Sequence, residues 1–310
     1  MTQKTLFSLG ALLLCGLGAV MSAQPQSTTG QPILPSAPTR QFGASISPAY
    51  EGWFDNPDGT HSFLIGYYNR NASSELDIPI GPNNKFEGAN PDMGQPTHFL
   101  TRRRFGMFVV TVPKDFPKTE KLRWTLMANG TTTTVPFYMH VDYNLSPLKG
   151  QEESPNREFN TPPTLKFAQA GPGVFGPLGT GLKPSLTRTA TVGTPMPLDI
   201  WADDDALYSS GGNAPISGSR PIVVLDVTKY RGPGTVTTTR PKIETLSGGK
   251  PLEKFSGKGT AQVSFSEPGE YLLHVNGGDY SGNGGGGAGC CWTTAIVKVT
   301  VSGGSGKTGN

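Results

Sequence analysis

The sequence predicts an all-β protein: two β-sandwich domains after a signal peptide, joined by a Gly/Pro-rich linker. Three observations carry that expectation. Glycine (42) and proline (28) are too frequent for long helices. Apolar residues nevertheless alternate in many short runs, which a disordered chain would lack. Tight-turn signals separate those runs, so short strands joined by reversals fit best. The length of 310 residues allows two domains of roughly 100–130 residues each.

The chain opens MTQKTLFSLGALLLCGLGAVMSAQPQ. One lysine, an apolar run and the small pair Ser22-Ala23 read as a secretory signal peptide over residues 1–23. Cys15 raises a lipoprotein alternative, but Leu14 stands where a lipobox needs a small residue. An uncleaved anchor is the other alternative. No second apolar stretch reaches membrane length, so the mature chain is expected to be secreted or periplasmic, without a membrane span. Residues 24–41, rich in Pro, Ser and Thr, read as an extended linker.

The first domain is placed at residues 42–147. DNPDG (residues 55–59) has the Pro and Gly of a tight reversal, and the strand HSFLIGYYNR follows it. RFGMFVVTVP (104–113) and KLRWTLMANG (121–130) alternate as strands. Asn129-Gly130 then signals a hairpin into TTTTVPFYMHVDY. The irregular stretch from 78 to 104 is long for a loop, and such loops are usually functional or disordered. Residues 148–184, with NTPPT and AGPGVFGPLGTG, read as an interdomain linker of low order.

The second domain is placed at residues 185–302, with a flexible tail at 303–310. TRTATVG, MPLDIWA, RPIVVLDVTKY, TAQVSFSEPGEYLLHVN and WTTAIVKVTV give at least six strands, a spacing that suits a seven-stranded sandwich. VGTPMPLDIWADDD, IVVLDVTKYRGPGTVT, AQVSFSEPGEYLLHV and IVKVTV resemble the immunoglobulin-like PKD-type repeats of secreted bacterial proteins. The resemblance rests on the GPGTV segment at residues 232–236 and the FSEPGEYL hairpin at 265–272, and covers about a third of the chain. It implies a scaffold, adhesion or carbohydrate-associated role. The long glycine loop and the adjacent cysteines depart from it. YEGWFDNPDGTHSFLIGYYNRN in the first domain resembles uncharacterised secreted bacterial proteins, which implies no function.

Cys290 and Cys291 are the cysteines left after signal-peptide removal. In an oxidising compartment two thiols tend to pair. Adjacent Cα atoms lie only ~3.8 Å apart, below the ~4.4–6.8 Å usual for a disulfide, so pairing needs an irregular turn, which the preceding glycines allow. A vicinal disulfide stiffening a binding loop is one reading. Two free thiols, one packed beside Trp292, is the other. A metal–thiolate site lacks the CxxC or paired histidines it would need. The pair is not the immunoglobulin bridge, because the second and sixth strands carry no cysteine.

Loops at one end of the second sandwich hold the remaining candidates. Asp203, Asp204 and Asp205 follow its second strand; Asp279 and Asn283 precede its last. Their oxygens could bind Ca²⁺, a cation that takes six to eight such ligands, although the spacing matches no EF-hand. A solvated acidic loop is the plainer alternative. In the first domain Trp53, Tyr67, Tyr68, Asn69 and Arg70 combine ring faces with amide and guanidinium groups, the chemistry that grips a pyranose. Core packing is the plainer reading of the rings. Tyr67 and Tyr68 must point to opposite faces of their strand. Arg102, Arg103 and Arg104 offer either a solvated strand entrance or an anionic contact.

Catalytic templates are missing. There is no GxSxG, and His61, His98, His140 and His274 show no paired spacing. SGGSGKTG imitates a P-loop, but Val301 replaces its first glycine. Three sequons, at Asn71, Asn129 and Asn144, matter only in a eukaryotic secretory pathway. The net charge of +3 leaves no nucleic-acid footprint. The sequence therefore points to a secreted, non-catalytic protein that binds a polysaccharide, cell surface or partner protein. A self-associating structural protein of an extracellular or cell-envelope complex, joined through strand edges, is the alternative.

Overall fold

A computed structural model describes residues 40–88, 90–150, 159–177, 182–207, 222–250, 253–279 and 290–304. The segment read as a signal peptide, nearly all of that read as an N-terminal linker, Asn283 and most of the expected tail lie outside the described residues. The described residues are all-β, with a turn of 3-10 helix at Val141–Tyr143.

Eight strands build the first sandwich: β1 (Ile46–Asp55), β2 (His61–Asn69), β3 (Leu76–Asp77), β4 (Asn84–Phe86), β5 (His98–Phe99), β6 (Arg102–Val112), β7 (Leu122–Ala128) and β8 (Thr131–Phe137). One sheet has the order β1-β2-β6 and the other β4-β7-β8, while β3 and β5 pair alone. The DNPDG reversal forms as its sequence demands: the Gly59 N–H donates to the Asn56 carbonyl, 2.9 Å away, and Gly59 takes φ +84°. Asn129 and Gly130 take φ 50° and 75°, the paired positive values of a two-residue hairpin turn, between β7 and β8. Alternation sends Phe63, Ile65 and Tyr67 of β2 into a core with Phe86, Phe99, Trp124 and Phe137. The Phe86 and Trp124 rings stack with centroids 6.0 Å apart.

The long stretch from 78 to 104 is ordered. Asn84, fully buried, holds it: its amide donates to the carbonyls of Ile78 and Pro96 and accepts from the Trp124 indole at 2.9 Å. Every polar atom of that side chain is thereby used, as burial requires.

The second sandwich adds β9 (Thr164–Lys166), β10 (Val174–Phe175), β11 (Leu186–Thr191), β12 (Met196–Asp204), β13 (Val224–Arg231), β14 (Val236–Thr238), β15 (Ile243–Ser247), β16 (Phe255–Phe265), β17 (Gly269–Gly278) and β18 (Trp292–Ser302). One sheet runs β10-β9-β12-β16-β14, with β15 also on β16; the other runs β11-β18-β17-β13. Taking β12, β13, β16, β17 and β18 as the second, third, fifth, sixth and seventh strands, this is the partition of an immunoglobulin-like sandwich. Part of the stretch read as a linker of low order belongs to this core instead. Leu165 is fully buried, and β9 pairs antiparallel with β12. Leu165 and Phe167 alternate as strand residues do, but flanking prolines and glycines mask so short a run.

The two sandwiches pack directly on each other. The inner face of β17 and β18 supplies Leu273, Val275, Val297 and Val299 to the second core. The outer face of this sheet meets the first sandwich: Tyr230 of β13 and Ile296 of β18 join its core, and Trp292 packs with Phe54, Leu64 and Val109. Burial of β18 is accordingly continuous from Trp292 to Val297. Gly106 makes the approach possible. A Cβ there would lie 2.4 Å from the Trp292 ring, and its φ is +50°. Replacing Gly106 with Ala is expected to cost about 1–3 kcal/mol through overpacking and strain, lowering Tm by several degrees in a thermal melt. Gly130→Ala, where a Cβ meets nothing within 4 Å, is the control for the left-handed conformation alone.

Candidate functional site

The aromatic candidates of the first sandwich do not form one platform. Tyr67 is fully buried, and its hydroxyl accepts the Leu100 N–H at 2.8 Å. Trp53 packs on the rim of the first core and donates its indole N–H to the His140 carbonyl. Tyr68 alternates with Tyr67 and so faces the opposite side of the sheet. Asn69 is buried and structural, donating to the Ser74 and Phe99 carbonyls. Arg70 lies over the Tyr68 ring, 5.0 Å from its centroid, and binds Ser47. The Asn71 sequon is buried too, its amide bonded to Ala44 and Asn69.

A polar pocket lies instead at the seam between the sandwiches. Its volume is about 210 Å³, and Arg103, Arg104, Phe105, Asp226, Thr228, His274 and Asn276 line it with Leu100 and Met107. Strand geometry explains the convergence. Asp226 pairs with Asn276, and Thr228 with His274, across β13 and β17, so all four project from one face. From the other side, β6 carries two more residues than β2 between Ile65 and Tyr67, and this bulge re-aims the start of β6. Phe105 is 37% exposed, and the Arg103 guanidinium lies 4.0 Å from its ring centroid. Arg103 in turn is fixed by Glu51 at 2.6 Å.

The pocket's polar groups are incompletely satisfied. His274 is buried, and its Nε2 has no partner among the described residues; the same holds for the Asn276 side-chain oxygen. Burial pushes the His274 imidazole down to about 4, with the Arg104 charge acting the same way, so the ring is neutral at pH 7. Burial raises Asp226, while Arg240, 3.1 Å away, draws it back. Arg104 uses its Nε on the Thr101 carbonyl.

The acidic end of the second sandwich is the other site. Along β12 the residues Met196, Leu198, Ile200, Ala202 and Asp204 point inward, so Asp204 is buried while Asp203 points out. Asp203 forms an ion pair with Lys166. Asp205 accepts from the Thr161 N–H and hydroxyl and from the Leu207 N–H. Asp279 accepts from the Asn160 amide at 2.6 Å. Burial first, then the charges of Asp279 and Asp205, push the Asp204 carboxyl up to about 8. Cys290 and Cys291 are disulfide-bonded to each other and buried beside these groups; a Cys291 sulfur lies 3.6 Å from the Asn160 carbonyl oxygen. Asp204, Asp205 and Asp279 are thus brought together, Asp203 is not, and Asn283 lies outside the described residues. Among the described residues no three His, Cys, Asp or Glu side chains form a ready metal-ligand set.

Sequence reasoning singled out Arg103 and Arg104 but missed Phe105, Asp226, Thr228, His274 and Asn276. The signal was a polar face, D-x-T on one strand opposite H-x-N on its neighbour, which reads as ordinary solvent-facing alternation.

No protein family and no curated protein matches this chain. Among solved structures, it is similar to domains 4 and 5 of the S-layer protein SbsC at 12% identity, over 63% of this chain and 70% of that one, with a TM-score of 0.19. CfaE, the adhesive subunit of CFA/I fimbria of enterotoxigenic Escherichia coli, shows 9% identity over 86% and 81%, with a TM-score of 0.18. An endo-fucoidan hydrolase of glycoside hydrolase family 107 shows 11% identity over 88% and 28%, with a TM-score of 0.20. These likenesses carry no functional argument. No helix among the described residues is long and apolar enough to cross a membrane.

A pH prediction follows from His274. The unfolded chain takes up a proton near 6.5 that the folded chain refuses until about 4, so acidification favours unfolding. Stability is expected to fall as pH drops from 6.5 towards 4. Tm measured across that window should lose part of its slope in His274→Gln; an unchanged slope would place the titration elsewhere.

Proposed function

We propose that this chain is an exported, non-catalytic binding protein whose seam pocket takes one glycosyl residue of a polysaccharide or cell-surface glycan. The observation that carries the reading is the pocket's composition. A part-exposed ring, Phe105, shares the pocket with buried polar atoms of His274 and Asn276 that lack partners among the described residues. An unmade buried hydrogen bond costs ~1–3 kcal/mol, so a ligand hydroxyl that completes it gains that much. The ring supplies the apolar contact a pyranose face needs. At about 210 Å³ the pocket is smaller than the ~300–1,000 Å³ typical of sites that enclose a whole ligand. It suits one residue or one acidic substituent, with Arg104 positioned for a carboxylate.

The pocket chemistry argues against cleavage. Glycoside hydrolysis generally takes a pair of carboxylates, and the lining offers only Asp226. His274 has no hydroxyl or thiol within hydrogen-bond reach of Nε2 to activate. The signal peptide supports export, and the PKD-type resemblance supports a scaffold or carbohydrate-associated role. Assembly through strand edges is the weaker reading. Edge strand β8 carries Pro136, a residue that blunts edge pairing.

The test is isothermal titration against uronate-containing and neutral oligosaccharides. Binding to at least one is expected, with Arg104→Gln and Asn276→Ala each weakening it about tenfold or more, the equivalent of one lost hydrogen bond. Variants that bind as well as the unaltered protein would remove the pocket from the reading.

A further inference from the structure

The acidic end of the second sandwich holds an unresolved electrostatic problem. Asp204 is 7% exposed and Asn160 5%. One Asp204 oxygen accepts the Ala206 N–H at 2.8 Å, but its Oδ2 is buried without a partner among the described residues. Asn160 spends its amide nitrogen on Asp279, and its Oδ1 is likewise buried without a partner. Two orphaned acceptors therefore lie beside a group of three carboxylates. With Asp204 ionised, the two acceptors cannot satisfy each other; they need a donor or a cation. Lys166 is held on the outer face by Asp203, and Lys254 lines the groove that leads to the cluster without a bond to Asp204 Oδ2.

We propose that Asp204 Oδ2, Asn160 Oδ1 and Asp279 bind one Ca²⁺ ion at this end of the sandwich, against the Cys290–Cys291 bridge. The donor set is all oxygen, carboxylate plus amide, which suits a hard cation. The sulfurs are bonded to each other, so no thiolate is present to select zinc. Ca²⁺ takes six to eight oxygens at irregular angles and accepts water for the remainder, whereas Mg²⁺ demands near-ideal octahedral geometry. A site with two protein carboxylates and much water binds weakly, in the ~10⁻⁴–10⁻³ M range of extracellular modules. Asp205, saturated by Thr161 and Leu207, adds charge without ligating. A groove of about 380 Å³ lined by Thr161, Asp203, Asp204 and Asp205 gives the ion its entry. This inference does not depend on the glycan reading.

The experiment is a thermal melt of the mature chain at pH 8 in EDTA, in 10 mM Ca²⁺ and in 10 mM Mg²⁺, with calcium titration calorimetry beside it. Calcium is expected to raise Tm by roughly 3–5 °C, as mass action predicts for an ion near ten times its Kd. Asp204→Asn should abolish that rise; Asn160→Ala gives the same reading if the first variant does not fold. Identical Tm in EDTA and calcium would overturn the site. A rise that survives both substitutions would move calcium elsewhere. An equal rise with Mg²⁺ would overturn the calcium assignment.

Discussion

Burial of β17 and the first half of β18 on both faces is the constraint on which the rest of the structure depends. A strand half-exposed to water can place polar groups on its outer side without cost. β17 and β18 have no such side where the first sandwich covers them. Every polar group on that outer face must be paired, or left as an energetic liability. On neighbouring β13, several polar groups are paired by the first sandwich. The Tyr230 hydroxyl donates to the Gly94 carbonyl, and Arg231 grips Asp92 through two nitrogens at 2.8 and 2.9 Å. Buried Lys229 reaches Asp77 at 2.9 Å. These contacts order a segment that contains little secondary structure of its own.

The ion pairs at the seam act by position more than by net energy. Bringing Arg231 and Asp92 out of water costs nearly what their attraction returns, while removing either partner would strand a charge. Their geometry is what matters. A bidentate guanidinium–carboxylate pair fixes direction as well as distance, so it sets how the long stretch lies across β13. His98 belongs to the same region. Burial alone would lower its imidazole, but hydrogen bonds to Asp77 and Glu75 outweigh this and raise it. Held by Asp77 and Glu75, His98 ties β3 to β5, and through Asp77 to Lys229.

How much of this the sequence reveals depends on the range of the interaction involved. Asn129-Gly130 and DNPDG dictate their turns through φ values that few residues adopt, so those reversals are legible residue by residue. Inward positions of β12, β16 and β17 follow from alternation alone. The same alternation separates Asp203 from Asp204, a distinction that a count of three aspartates hides. The docking of two sandwiches is not legible, because no local pattern marks a polar face as covered. Asp226, Thr228, His274 and Asn276 read as a solvent face until the first sandwich is placed on them. β9 is hidden for a related reason: three residues between prolines and glycines form a strand only because the edge of β12 awaits them.

Both candidate sites arise where that docking or the end of the sandwich leaves polar atoms without protein partners. The pocket forms at the bulge at the start of β6, where no described residue bonds His274 Nε2 or the Asn276 oxygen. The acidic end forms where β12 runs out of apolar residues while its inward register persists, which forces Asp204 into a space built for a side chain like Ala202 or Ile200. A well-packed protein with no ligand to meet would fill both positions with apolar groups, because buried acceptors without partners only destabilise it. β17 connects the two: His274 and Asn276 project from its outer face, and Asp279 follows at its end, about 10 Å of extended chain beyond Asn276. The same strand therefore supplies polar atoms to a pocket on the outer face and to a cluster at the tip, and both places carry the cost of buried polar atoms without partners among the described residues.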